Sequence, residues 1–96
     1  MIVVIDGSKI GSERELHELL HAKLRLGDFY GYNSAALWDR LTTDVERPIQ
    51  IIWKNAMQSR LTLGDATFDR YAKLFNDVEA QDEEQALELR FGFTVT

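Results

Sequence analysis

The chain opens with an unbroken apolar run, Ile2-Val3-Val4-Ile5, that stops at Asp6-Gly7. Four β-branched residues in succession favour a strand covered on both faces, so this strand is expected in the middle of a sheet. The period then lengthens. Ser12-Glu13-Arg14-Glu15 matches a capping box, with Ser12 as N-cap and Glu15 reaching back to it, and Leu16, Leu19, Leu20 and Leu24 follow as one helical stripe up to Gly27. Asp28 to Asn33 carries one glycine among three aromatics and reads as an ordered loop, with Asn33 capping a second helix through Ala36, Leu37, Trp38 and Leu41.

Pro48 marks the entry to a second strand, Ile49 to Trp53, and a short helix spans Ala56 to Leu61, ending near Gly64. Asp65 is the expected cap of a fourth helix that turns Phe68, Tyr71, Ala72, Phe75 and Val78 inward. The acidic stretch Asp82-Glu83-Glu84 is expected to separate that helix from a last strand. There Leu87, Leu89, Phe91, Phe93 and Val95 alternate with Glu88, Arg90, Gly92 and Thr94, the pattern of a half-exposed edge strand. Strands joined by helical crossovers imply a parallel sheet. The predicted fold is therefore α/β, a three-stranded parallel sheet packed with about four helices in a single domain over residues 1–96.

Composition narrows the function. A chain of 96 residues can bury one core but has little room for a deep catalytic cleft beside it. It has no cysteine, which excludes disulfide scaffolds, cysteine nucleophiles and thiolate metal sites, and fits a reducing, cytoplasmic setting. No signal peptide or membrane span is expected from the N-terminal run. Sixteen acidic residues against eleven basic ones give a formal net charge of -5, a surface that repels nucleic acid and steers a basic protein toward it.

One motif invites an enzymatic reading. His17-Glu18-Leu19-Leu20-His21 is a literal H-E-x-x-H, which on a helix sets two imidazoles one turn apart beside a carboxylate, as in zinc hydrolases. Here its x positions are core leucines, and no third ligand or cleft accompanies it. His17 and His21 are instead expected on the helix flank, one of them in a structural hydrogen bond. Neither a metal nor a cofactor is expected, and no nucleophile elbow, phosphate-binding loop or dinucleotide fingerprint occurs.

The informative stretch is Tyr30-Gly31-Tyr32-Asn33-Ser34-Ala35-Ala36-Leu37-Trp38-Asp39. With Leu37 and Leu41 in the core, Asp39 points outward and shares a face with Ala35, Thr42 and Thr43, with Trp38 on its border. A projecting carboxylate beside a rim aromatic has the make-up of a binding hot spot, although an ordinary amphipathic helix with a half-buried tryptophan would share it.

Leu16-His17, then Phe29-Tyr30-Gly31-x-Asn33, then Ala36-Leu37-Trp38-Asp39-x-Leu41, then Pro48 before an apolar strand, resembles the barstar family over nearly the whole chain. That family comprises intracellular inhibitors of secreted bacterial ribonucleases of the barnase type. The resemblance implies a 1:1 complex with a basic secreted ribonuclease or a related toxin, and no membrane partner. Asp39 would stand in for the scissile phosphate and accept charge-assisted hydrogen bonds from the enzyme's cationic groups. Phe29, Tyr30, Gly31, Asn33, Trp38 and Thr42 would surround it, Val45 and Glu46 would meet the margin, and Asp77 on the fourth helix would add a second acidic contact. The chain departs from the family at several of these positions. Ala35 stands where an aspartate is common, Phe29 replaces a tyrosine, and Thr43-Asp44 replaces a glycine-aromatic pair. These departures leave open an adaptor or an immunity protein against a toxin that is not a ribonuclease.

Overall fold

Three parallel strands, β1 (Ile2–Asp6), β2 (Ile49–Lys54) and β3 (Phe91–Val95), form the sheet in a computed structural model that describes residues 1–96. Four helices connect them: α1 (Glu13–Leu24) and α2 (Ser34–Thr43) between β1 and β2, α3 (Ala56–Leu63) and α4 (Asp65–Glu84) between β2 and β3. The fold is the expected three-stranded parallel α/β arrangement with four helices.

The strand order corrects one expectation. β2 lies in the centre and β1 at an edge, in register Val3↔Ile51↔Phe93. Val3, Ile5, Ile49, Ile51, Trp53, Phe91 and Phe93 are buried on one face, in a single core with Leu16 and Leu20 of α1, Leu37 and Leu41 of α2, and Phe68, Tyr71, Phe75 and Val78 of α4. On the other face Ile2 is 68% exposed and Val4 40%, so β1 is covered on one side only. An unbroken apolar run in a strand this short does not distinguish two covered faces from one covered and one tolerated in water.

The two outer edges are treated differently. β3 offers its outward N–H groups to carboxylates of α4: Phe91 N–H donates to Asp82 Oδ2 at 2.7 Å and Phe93 N–H to Glu79 Oε2 at 2.9 Å. This satisfies the free edge with side chains that cannot continue a sheet. No such cover lies over β1.

Further expectations shift locally. Ser12 Oγ accepts Glu15 N–H as a cap should, but the Glu15 carboxylate reaches Gly11 N–H rather than Ser12. The first helix ends at Leu24, before Gly27, with Arg25 in a left-handed conformation. Gly64, at φ 89°, takes the cap position expected of Asp65, which is instead the first residue of α4. α4 continues through Asp82-Glu83-Glu84 and buries Asp82, so that stretch is not a spacer. β3 begins at Phe91, because Leu87 and exposed Leu89 belong to the turns before it. No helix is long and apolar enough to cross a membrane.

Candidate functional site

The face predicted to carry function is built from the loop before α2, α2 itself and the segment after it. Asn33 begins it: its Oδ1 accepts Ala36 N–H at 2.8 Å while its Nδ2 donates to Gly31 O. One side chain thus caps the helix and ties down the preceding turn, where Tyr32 holds a φ of 53°. Leu37 and Leu41 bury the inner face of α2, and Trp38 packs partly against the core. Ala35 and Asp39 are left on the exposed face, Thr42 Oγ1 bonds back to Trp38 O, and Thr43 Oγ1 bonds to Asp39 O.

Asp39 stands out by what it lacks. Arg40 beside it is engaged by Asp44, one turn on, and no ion pair or side-chain hydrogen bond within the chain involves the Asp39 carboxylate. Glu46 is likewise exposed and unpaired. Phe29, at the other end of the face, is 93% exposed, far beyond what an aromatic ring in a folded monomer normally leaves to water.

Tyr30 is the residue of this set that the fold turns inward, at 5% exposure. Its hydroxyl meets His17 Nδ1 at 2.5 Å, and His17 Nε2 meets the Tyr71 hydroxyl at 2.7 Å. Tyr71 in turn gives its proton to Glu13, which also accepts from Arg70 at 2.7 Å. A carboxylate can only accept, so Tyr71 donates to Glu13 and receives His17 Nε2–H; in the neutral imidazole that burial favours, Nδ1 then accepts from Tyr30. The result is a directed chain from the loop through α1 to α4, with a neutral imidazole at its centre. Burial lowers the His17 pKa, the Glu13 charge opposes that shift, and Arg14 and Arg70 add to it. Burial also holds the Tyr30 hydroxyl above its ordinary value and pushes Tyr71 up to about 12.

This chain settles the place of the H-E-x-x-H residues. His17 is fully buried with both ring nitrogens committed to tyrosines, His21 Nε2 bonds Gly27 O at 2.8 Å, and Glu18 is exposed. His17 is therefore a core residue rather than a flank residue, and both histidines make structural hydrogen bonds. No cluster of His, Cys, Asp and Glu is placed to hold a metal ion.

Asp77 lies on α4, which packs beside α2, and it is exposed; Lys73 one turn earlier donates to it at 2.6 Å. Val45 packs partly against the core, with Glu46 projecting next to it. Sequence reading missed two supports of this face. One is the Tyr30–His17–Tyr71 chain, whose members lie up to 54 residues apart. The other is Arg47, whose guanidinium donates to Asp82 across 35 residues. Only the position of His17 next to Leu16 hinted at the first.

Comparison with known proteins bears on the family. A family model described as "Barstar (barnase inhibitor)" matches residues 1–94. A Bacillus subtilis (strain 168) protein named "Putative ribonuclease inhibitor YrdF" is 39% identical over 67 residues, 70% of this chain and 74% of the relative. Matched over residues 1–94 and carrying the parallel α/β core described above, the chain belongs to the barstar family.

Proposed function

We propose that this protein inhibits a ribonuclease by covering its active site with the α2 face, and that it acts by binding rather than catalysis. The observation that carries this reading is the exposed, unpaired carboxylate of Asp39 on a capped helix packed through Leu37 and Leu41. A carboxylate already free of internal partners has no ion pair to break before it meets a cation. Held in a cationic active site, it accepts the hydrogen bonds that the enzyme otherwise gives to a phosphate. Phe29, at the other end of the face, supplies an exposed apolar anchor. Asn33, Gly31 and buried Tyr30 hold the loop, and Ala35, Trp38, Thr42 and Thr43 form the surrounding surface. Val45, Glu46 and Asp77 lie at the margin, where Lys73 weakens the contribution of Asp77.

The partner in this reading is a small basic secreted ribonuclease or a related toxin, bound 1:1 in the cytoplasm. The interface is of ordinary size, about 800 Å² on each side. The net charge of -5 speeds encounter with such a partner, so association slows as salt rises. The test is RNA cleavage by a panel of basic ribonucleases, barnase included, with wild type and Asp39→Ala in parallel. Stoichiometric inhibition by wild type, lost in the variant, upholds the reading. Inhibition of no enzyme, with capture of a different toxin through the same face, replaces it with immunity of another kind.

A further inference from the structure

Arg47 is the cation closest in sequence to the Val45–Glu46 margin, and its charge is turned away from that surface. Its side chain is 15% exposed and that of Asp82 3%. The guanidinium makes a forked pair with Asp82, Nε to Oδ2 at 2.7 Å and Nη2 to Oδ1 at 3.2 Å. Two further donors go to backbone carbonyls: Nη1 to Val45 O at 2.7 Å and Nη2 to Leu41 O at 2.8 Å. Asp82 also accepts Phe91 N–H. One guanidinium therefore joins the last turn of α2, the segment after it, α4 and, through Asp82, the edge of β3.

We propose that the Arg47–Asp82 pair is a positioning clamp that sets the pose of Val45 and Glu46 relative to the last turn of α2 for partner binding. Two physical consequences make it more than a generic ion pair. Its planar fork fixes direction as well as distance, so one rigid group sets where the Val45 and Leu41 carbonyls lie relative to the carboxylate. It also withdraws a positive charge that would otherwise lie beside Glu46 and neutralise it. With Arg40 engaged by Asp44, Asp39 and Glu46 are left as the uncompensated charges of this face. The proposal rests on the inhibitor reading for its binding role, and on geometry alone for the clamp.

The experiment uses the full chain as wild type, Arg47→Lys and Asp82→Asn, with Glu46→Gln and Phe29→Ala as second-site probes. Asparagine at position 82 keeps an oxygen for Phe91 N–H while removing the charge, so it is the variant best able to stay folded. Amide hydrogen exchange is read at Asp44 and Val45, whose N–H groups bond to Arg40 O, and at α1 as reference. Exchange at Asp44 and Val45 should rise about tenfold more than in α1. Dissociation from an inhibited ribonuclease should quicken about tenfold, less than additively with Glu46→Gln and additively with Phe29→Ala. Equal acceleration of exchange throughout the molecule, or additivity with both probes, would show a stabilising pair only and overturn the clamp. If wild type inhibits no ribonuclease, the inhibitor reading is what fails, and the exchange pattern alone then upholds or overturns the clamp.

Discussion

Asp39 and Asp82 are the same chemical group on two neighbouring helices, put to opposite uses. Asp82 is 2% exposed and spends its oxygens on Arg47 and Phe91 N–H. Asp39 is exposed, and its carboxylate has no partner in the chain. A buried carboxylate is tolerable only when its lone pairs are filled, so Asp82 is bound to the fold. An exposed one costs the fold nothing and stays available. The difference teaches where to look for function in a small acidic protein: at the carboxylate the fold has left idle, on a face where the fold has also left an aromatic wet.

Substitutions can break this contrast. Asp39→Ala should raise the inhibition constant by about a thousandfold or more, the scale of about 4 kcal/mol found for central charged anchors, for which the barnase–barstar pair is itself a reference case. Its melting temperature should stay within a few degrees of wild type. A large thermal loss in this variant would mean that Asp39 is structural after all. Asp82→Ala should do the reverse. Removing one member of a buried pair leaves Arg47 unpaired and costs about 3 kcal/mol, which lowers Tm by more than about 10 °C in a domain this small. An unchanged Tm would remove Asp82 from the structural side of the comparison. Phe29→Ala should weaken inhibition about thirtyfold, or about 2 kcal/mol, with no thermal effect, since its ring touches little of the fold.

Acid sharpens the contrast further, with smaller effects. Burial alone would raise the Asp82 pKa, but hydrogen bonds from Arg47 and Phe91 N–H, together with the Arg47 charge, hold it below the usual carboxylate range. The unfolded chain therefore takes up that proton at higher pH than the folded one. Its stabilisation is complete above about pH 4 and is lost as pH falls through the folded value. His17 is likewise lowered, chiefly by burial, so its contribution is complete above about pH 6.5 and is lost as acid protonates the folded imidazole. Thermal melts between pH 7 and 5 should show a modest decline that disappears in His17→Gln. A decline that persists in that variant would place its source outside the Tyr30–His17–Tyr71 chain.

Much of this was legible in the residues. The element order followed from changes of period, the Asn33 cap from its place before an apolar helical run, and the outward aim of Asp39 from its offset to Leu37 and Leu41. Asp82 reads in the sequence as part of an acidic stretch between helix and strand, because nothing local marks it apart from Glu83 and Glu84. His17 reads as a flank residue, because its tyrosine partners lie on a loop and on another helix.

Local pattern therefore determined the strands, the helices, the capped α2 and the residues exposed on its face, since each depends on neighbours within a turn or two. Tertiary structure alone decided which strand is central, which histidine is buried and which carboxylates are occupied. Those outcomes depend on pairings such as Arg47 with Asp82 and His17 with Tyr71, across 35 and 54 residues, whose partners meet only when the sheet and helices have come together.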